Sequence, residues 1–264
     1  MLLGLISDIH EDFRKLEQAL RLCERHHCDE IACLGDIVGY NPAYYANIKE
    51  RSASRCLHLI QSYCRWVVAG NHDLYACGGS REARLVDELQ TDTQTIDVQL
   101  NDNNIPDWSY EGELPGDMTG ADVEYLRNLP HGIIPDIGGI RCLLSHYVYP
   151  DLSGSKALYI KKRKDLMPLR DFMVRHAVSL VVTGHTHTAG AGFAFPFRIN
   201  GAKKFLRAIH RMPFHTYPTG NIPVLCLLPA VTGETGVGGM AILDTTLSQI
   251  NVFPIHQYKQ TTEG

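Results

Sequence analysis

The first seventy residues alternate short apolar runs with segments of helical periodicity. Residues 2–6 form an apolar run, and residues 13–26 follow with apolar side chains at intervals of three or four. A second such segment, residues 42–63, lies between apolar runs at residues 31–34 and 66–69. This pattern predicts parallel strands joined by helical crossovers, which is typical of an α/β fold.

The rest of the chain gives a less regular pattern. Residues 80–104 have helical composition, while residues 106–116 are rich in turn formers and predict a loop. No low-complexity linker or internal repeat interrupts the chain, so we expect a single domain over residues 1–264. We predict helices over residues 121–129 and 165–176, strands over residues 140–145 and 180–183, and antiparallel strands between residues 224 and 255.

The composition is that of an ordinary globular protein, with 44% hydrophobic and 20% charged residues. A formal charge of -4 provides no global positive field, so we expect neither nucleic acid nor a membrane as a partner. The N-terminus lacks a basic segment, and its apolar run is too short for a signal peptide or a membrane span. The eight cysteines form no Cys-x-x-Cys pair. We therefore expect a cytoplasmic protein with reduced, buried thiols, with a cysteine-based zinc site as the alternative.

Five of the predicted strands end in polar side chains of the types that bind metal ions. Ligands of open α/β sheets bind at the carboxyl ends of the strands. Carboxylate, imidazole and amide groups suit manganese, iron, zinc or nickel, and the number of imidazoles disfavours calcium and magnesium. The residues are Asp8 and His10, Asp36, Asn71 with His72 and Asp73, His146, and His185 with His187.

Each of these residues also has an ordinary structural explanation. A single histidine is more often a hydrogen-bonded residue than a ligand, and an aspartate at a strand end is often a turn former or helix cap. Five such sites at five strand ends favour a metal centre when they are taken together. Asp8 and His10 are two residues apart, so both side chains can face the same way from an extended strand. The same holds for His185 and His187.

The blocks resemble the five-block signature of the calcineurin-like metallophosphoesterases. They are Asp8-x-His10, Gly35-Asp36, Gly70-Asn71-His72-Asp73, a lone His146 and Gly184-His185-Thr186-His187, in the family's order. Residues 35–42 also resemble a bacterial branch that is described as phosphodiesterase-like or similar to diadenosine tetraphosphatases. Two positions depart from that branch, since Asn41 replaces a usual glycine and Ser145-His146-Tyr147 replaces Gly-His or His-Gly.

The resemblance implies a fold and a metal centre. The fold is a four-layer α/β/β/α sandwich of two mixed sheets flanked by helices, and the centre holds two divalent transition-metal ions, for which we expect manganese. Two ions about 3.5–4 Å apart can clamp phosphoryl oxygens and activate a shared water for in-line attack on phosphorus. One ion would be held by Asp8, His10, Asp36 and His187, and the other by Asp36, Asn71, His146 and His185, with Asp36 as the bridge.

The resemblance also implies catalytic roles beside the ligands. His72 would protonate the leaving oxygen or stabilise charge on it. Asp73 has two interpretations of equal weight, because a carboxylate there can orient the His72 ring or cap the next turn.

These features predict a metal-dependent phosphoesterase that hydrolyses a phosphomonoester or phosphodiester by attack of metal-activated hydroxide. Protein Ser/Thr phosphatases usually carry Asp-Arg-Gly after the second block and Glu after Asn-His, where this chain has Gly39-Tyr40 and Asp73. We therefore expect a small-molecule or nucleotide substrate. A non-catalytic scaffold, a protein Ser/Thr phosphatase and a nuclease are the alternatives.

Several residues outside the blocks leave two interpretations open. The run Lys161, Lys162, Arg163 and Lys164 predicts a solvated loop or helix start, or a lid that contacts distal phosphates of the substrate. Aromatic and amide side chains beside the ligand blocks either stack on a base or sugar or pack the rim, and they are Tyr40, Asn41, Tyr147 and Tyr149. A second basic group predicts an exposed helix face, and it comprises Lys203, Lys204, Arg207, His210 and Arg211.

Overall fold

Two mixed β-sheets pack face to face in the structure, a computed structural model, and helices cover their outer faces. The structure describes residues 1–80, 83–88, 95–96, 110–156, 158–194, 209–219, 224–233 and 237–256. The helices in these ranges are α1 (Phe13–Arg25), α2 (Ala53–Tyr63), α3 (Asn71–Cys77), α4 (Gly120–Arg127) and α5 (Met167–Arg175), with a 3₁₀ turn at Arg163–Leu166. The strands are β1 (Leu2–Ile6), β2 (Glu30–Cys33), β3 (Trp66–Val67), β4 (Leu85–Asp87), β5 (Thr95–Ile96), β6 (Gly132–Ile134), β7 (Asp136–Ile137), β8 (Ile140–Ser145), β9 (Leu180–Thr183), β10 (Ala191–Ala194), β11 (His210–Met212), β12 (Thr216–Pro218), β13 (Val224–Leu227), β14 (Gly238–Asp244) and β15 (Gln249–Ile255).

The strand order brings the ligand-bearing strand ends together. Within the described residues, the first sheet has the order β12-β15-β14-β1-β2-β3, in which β1, β2 and β3 run parallel. The second sheet has the order β11-β10-β13-β9-β8-β6-β4-β5, with β7 paired to β8, and its central strands β8, β9 and β13 are parallel. Each sheet therefore presents a set of parallel carboxyl ends at one edge.

Alternation of side chains along the strands builds three apolar layers. In β8, Leu144 faces the other sheet, while its neighbour Leu143 faces the helix α5. The layer between the sheets includes Leu3 and Leu5 of β1, and the layer under α1 includes Leu16. Since successive strand side chains point to opposite faces, these runs bury both faces of each sheet. The four-layer α/β/β/α sandwich is confirmed.

The predicted helix over residues 42–63 is wrong in its first half. Helix α2 begins at Ala53, because the Ser52 side chain accepts a hydrogen bond from Arg55 N at 3.2 Å and caps the helix there. Upstream, the Asn41 side chain accepts from Ala43 N at 2.9 Å and forms a local turn that competes with helix.

The helical prediction for residues 80–104 is also wrong where the structure describes this segment. Strand β4 pairs parallel to β6, and β5 pairs antiparallel to β4. Most of the segment lies outside the described residues. Pairing with the sheet overrides the local helical composition, which is a weak preference. Residues 110–116 are irregular, as predicted.

Two further predictions about the second half need correction. Strand β13 lies in the second sheet and is antiparallel to β10, as predicted, but parallel to β9. Strands β14 and β15 are antiparallel as predicted. His210 and Arg211 lie in a strand rather than on a helix, and Lys203, Lys204 and Arg207 lie outside the described residues. Among the described helices, none is long and apolar enough to cross a membrane.

Candidate metal centre

The proposed ligands lie on loops with an unusual backbone. Among the described residues, nine that are not glycine have positive φ, and five of these are proposed ligands. L-residues in the left-handed region cost about 1–3 kcal/mol each and persist only where the surroundings enforce them, often at functional sites. The φ angles are 56° at Asp8, 47° at His10, 51° at Asp36, 67° at His185 and 45° at His187.

The first group of proposed ligands converges on one small volume. Nε2 of His187 lies 3.2 Å from Asp8 Oδ1 and 3.2 Å from His10 Nε2. Nε2 of His10 lies 3.9 Å from Asp36 Oδ2. One donor atom from each of these four side chains lies within 4.8 Å of the others, so a single ion can be held between them.

The second group shares Asp36 with the first. Oδ2 of Asp36 lies 3.1 Å from His146 Nε2, which lies 3.2 Å from His185 Nδ1. Asn71 completes the set, because its Oδ1 lies 3.0 Å from His185 Nδ1 and 3.1 Å from His146 Nε2. The structure thus brings together all seven residues that the sequence predicted as ligands.

Hydrogen bonds on the outer side of these side chains orient their free electron pairs toward the metal centre. The ring of His10 donates from Nδ1 to Gly39 O at 2.8 Å, and the ring of His146 donates from Nδ1 to Leu34 O at 2.6 Å. Asn71 donates from Nδ2 to the Tyr110 hydroxyl at 2.9 Å, which leaves Oδ1 for the centre. Such outer partners fix the tautomer and orientation of metal-binding side chains. The donor set therefore fits divalent transition-metal ions.

Close backbone packing leaves no space for extra atoms around the ligands. A Cβ added at Gly70 would collide with the Asp36 carboxylate, and one added at Gly184 would collide with Ser7 and Asp8. Gly154 has φ of 74°, and a Cβ there would lie 2.7 Å from His185 Nδ1. These glycines allow the three loops to approach the centre closely.

Burial and neighbouring charges set the protonation states. Burial lowers the pKa of His10 and of His185 to about 3, so both rings are neutral and able to bind metal. Burial raises the pKa of Asp8, but the charges of His187 and His146 outweigh it and hold this pKa at about 2. Burial lowers the pKa of His146, but the Asp36 and Asp8 carboxylates raise it to about 9.

His72 lies beside the centre without belonging to either ligand group. It is in the first turn of α3, and its backbone N–H donates to Asp36 Oδ1 at 2.9 Å. Nε2 of its ring lies 4.0 Å from Asp36 Oδ2, and Nδ1 is hydrogen-bonded to Glu113 Oε1. This ring can therefore meet a substrate that is bound at the centre.

The contacts of Asp73 are those of the capping interpretation. Its Oδ1 accepts from Ile37 N at 2.9 Å and Val38 N at 3.1 Å, and its Oδ2 accepts from Gly70 N at 3.0 Å. The fully buried Asp73 thus ties the loop after β2 to the start of α3. The carboxylate that contacts the His72 ring in this structure belongs to Glu113.

The aromatic residues beside the blocks pack the structure. Tyr147 is buried against His185, with ring centroids 4.5 Å apart, and Tyr149 stacks on Phe172. Tyr40 is buried under the Arg51 guanidinium, and Asn41 donates to Glu111 O at 3.2 Å. The run Lys161, Lys162, Arg163 and Lys164 is exposed at the 3₁₀ turn before α5, in agreement with the helix-start interpretation.

Comparison with known proteins identifies the family of this chain. A model of the calcineurin-like phosphoesterase superfamily domain matches residues 1–194. The chain belongs to the calcineurin-like phosphoesterase superfamily. A metallophosphoesterase from Sphaerobacter thermophilus has a similar structure, with a TM-score of 0.66 and 20% identity over 98% of this chain and 90% of that one. A hypothetical protein from Pyrococcus horikoshii OT3 is also similar, with a TM-score of 0.57 and 12% identity over 98% and 89% of the two chains. No curated protein matches the sequence significantly.

Membership of the calcineurin-like phosphoesterases agrees with the chemistry of the donor set. The family acts on phosphoric esters, and the two groups of side chains are candidate sites for divalent metal ions. A cysteine-based zinc site receives no support, because the cysteines form no such group among the described residues.

Three residues of this calcineurin-like centre were not predicted from sequence. Glu113 and Tyr110 lie in the irregular segment that approaches α3, and Tyr45 stacks on the His10 ring with centroids 4.5 Å apart. None of them lies at a strand end, which is the position that identifies the candidate ligands in the sequence. A glutamate among turn formers carries no local pattern that distinguishes it from a solvated side chain.

Proposed function

We propose that this protein is a dinuclear-metal phosphoesterase that hydrolyses a phosphomonoester or phosphodiester of a small molecule or nucleotide. The seven side chains of the centre would hold two divalent ions, with Asp36 between them. The ions would supply positive charge for the phosphoryl oxygens and would activate a water molecule.

The position of Asp36 is the observation that supports this proposal most directly. Its Oδ2 lies 3.1 Å from His146 Nε2 of the second group and 3.9 Å from His10 Nε2 of the first. Burial alone raises the pKa of this carboxyl, but the charges of His146 and His72 outweigh burial and hold the pKa well below its ordinary value. An ionised carboxylate between two cation sites offsets the repulsion between two ions.

His72 would act on the leaving group. Its Nε2 points toward the centre, and its side chain is 21% exposed, so it can be reached by a substrate while its backbone N–H stays bonded to Asp36. A histidine in this position can donate a proton to a departing oxygen or stabilise its charge.

Two further parts of the proposal concern the metal and the compartment. We propose manganese as the metal, since each site would combine two imidazoles with two oxygen ligands, and carboxylate and carbonyl oxygens suit manganese. We also propose a cytoplasmic location, supported by eight cysteines without a disulfide, which is usual in a reducing compartment.

A substrate screen tests the proposed function. The protein would be reconstituted with manganese and assayed against p-nitrophenyl phosphate, bis-p-nitrophenyl phosphate, cyclic nucleotides, dinucleoside polyphosphates, a phosphopeptide and single-stranded DNA. Asp36→Asn is the control for contaminating phosphatases, since it alters the shared carboxylate alone. We expect hydrolysis of a small ester that Asp36→Asn abolishes.

The other outcomes identify the alternatives. Metal binding without hydrolysis of any substrate would contradict the enzyme and favour a scaffold. Preference for the phosphopeptide would favour a protein phosphatase, and preference for DNA would favour a nuclease.

A further inference from the structure

Glu113 is a carboxylate at the centre that belongs to neither ligand group. Its Oε1 is hydrogen-bonded to Nδ1 of His72, and the Glu113 side chain is only 8% exposed. A shielded carboxylate on a histidine ring forms a charge-assisted hydrogen bond, which is stronger than a neutral one. This contact lies on the side of the ring away from the ligands.

The contact at Nδ1 determines where the other ring nitrogen points. With Nδ1–H directed to Glu113, Nε2 faces Asp36 Oδ2 at 4.0 Å. The ring also meets the rings of His10 and Tyr110, each with centroids 4.8 Å away in an edge arrangement. A ring flip would break the bond to Glu113 and turn a carbon toward the centre.

The segment that carries Glu113 is held on both sides of it. Leu114 N donates to Tyr40 O at 2.9 Å, and the Asn41 side chain donates to Glu111 O at 3.2 Å. Arg51 donates to Pro115 O at 3.1 Å. Glu113 is therefore presented by a fixed backbone, although it lies outside any helix or strand.

The same arginine connects this segment to the metal loops. Arg51 Nη1 lies 2.8 Å from Oε2 of Glu11, a buried residue directly after His10. Ser52 Oγ donates to Asp117 Oδ2 at 2.6 Å and fastens the segment again four residues beyond Glu113. The loop after β1 and the segment with Glu113 are thus held to one another.

We propose that Glu113 is a positioning residue that holds the His72 ring with Nε2 toward the substrate during the reaction. The proposal rests on the proposed phosphoesterase function for its catalytic part. Glu113 belongs to neither group of candidate ligands and its carboxylate contacts the His72 ring, so it would act through His72.

The hydrogen bond itself is tested without any assay of activity. In the full chain with zinc, labelled histidine allows the ring N–H signals to be observed by NMR, and His72→Ala identifies the signal of His72. We expect that signal to disappear in Glu113→Ala and to remain in Glu111→Ala, which removes an exposed glutamate of the same segment. A His72 ring signal that is unchanged in Glu113→Ala would overturn the proposal.

A kinetic cycle tests whether Glu113 acts through His72. We expect Glu113→Ala to lower kcat for an alkyl phosphoester by about 10-fold to 100-fold, as is usual for partners that orient an active-site imidazole. Glu111→Ala should leave kcat unchanged, and metal content should equal that of the wild type in both. In the His72→Ala background, Glu113→Ala should have no further effect.

The outcomes separate this proposal from the proposed function. If the wild-type protein hydrolyses no ester, the phosphoesterase function and the catalytic part of this proposal are wrong. The NMR signal of the His72 ring N–H would still show whether the hydrogen bond to Glu113 exists. If each single substitution lowers kcat and the two losses multiply in the double variant, Glu113 acts independently of His72. The positioning role would then be wrong.

Discussion

Asn71 and His146 face each other through the two atoms that are proposed to bind metal. Oδ1 of Asn71 lies 3.1 Å from Nε2 of His146, while Nδ2 of Asn71 donates to Tyr110 and Nδ1 of His146 donates to Leu34 O. The Asp36 and Asp8 carboxylates raise the pKa of His146 to about 9, so Nε2 carries a proton near neutral pH, and both Asp36 Oδ2 and Asn71 Oδ1 lie 3.1 Å from it. A metal ion held by these atoms would take the place of that proton and would bind the native state in preference to the unfolded chain, so metal binding should stabilise the fold.

Metal content and thermal stability should therefore change together. We expect elemental analysis after manganese reconstitution to give near two equivalents per chain, as two groups of ligands require. A ligand present at about 100 times its Kd stabilises the native state by about 2.7 kcal/mol, so Tm should rise by several degrees on addition of manganese. Metal content near zero in a folded protein would contradict the metal centre.

Asp36→Asn and Asn71→Ala should have different effects on the two ions. Asp36 is shared by both groups, and an amide in its place lacks the charge that offsets two cations. We expect Asp36→Asn to weaken binding of both ions, while Asn71→Ala weakens mainly the second. Metal titrations of the two variants provide the measurement, and equal losses in both would show that the bridge is assigned to the wrong residue.

Gly70→Ala should disturb the centre by steric contact alone. Gly70 has an extended backbone with φ of -97°, so alanine has no conformational penalty there, but its Cβ would overlap the Asp36 carboxylate and backbone N. Overpacking of this kind costs about 1–3 kcal/mol. We expect loss of stability in chemical unfolding together with weaker metal binding.

Gly120→Ala is the matched control for that variant. Gly120 begins α4, and a Cβ there would meet no atom within 4 Å. Alanine at a compatible site stabilises by about 0.4–1 kcal/mol through the unfolded state, so we expect unchanged metal binding and equal or higher stability. A similar loss in both variants would mean that the contact with Asp36 is not the cause.

The ligands could be found from sequence because strand ends carry them. A buried strand has a clear apolar signal, and the residue that follows it is fixed at the sheet edge, so Asp8, Asp36 and His146 could be assigned to one place. The two sheets followed from the family resemblance, and the apolar runs of β1, β8 and β9 were visible directly.

Other features depend on contacts between distant segments and have no local signal. The strand β4 forms because β6 lies beside it, although the surrounding sequence has helical composition. Glu113 and Tyr110 reach the centre only because Arg51 and Asn41 hold their segment to the loop after β2. Hydrogen bonds between irregular segments leave no periodic pattern in a sequence.

His72→Ala should keep both metal ions and lose most of the activity. The ring is not part of either ligand group, so its removal should leave both sets of ligands whole. General acid assistance is worth about 10²–10⁴-fold in rate, and it matters most for a poor leaving group such as an alkyl or ribose alkoxide. A p-nitrophenolate departs without a proton, so hydrolysis of a nitrophenyl ester should suffer less.

The comparison of the two substrates decides the role of His72. The measurement is the ratio of wild-type to variant kcat for a nitrophenyl ester and for an alkyl ester, with metal content determined in parallel. Equal ratios would show that His72 does not assist the leaving oxygen and would assign it to positioning or to stabilising charge elsewhere on the phosphoryl group. Loss of metal in the variant would make His72 a ligand, which we do not expect because His72 belongs to neither group of candidate ligands.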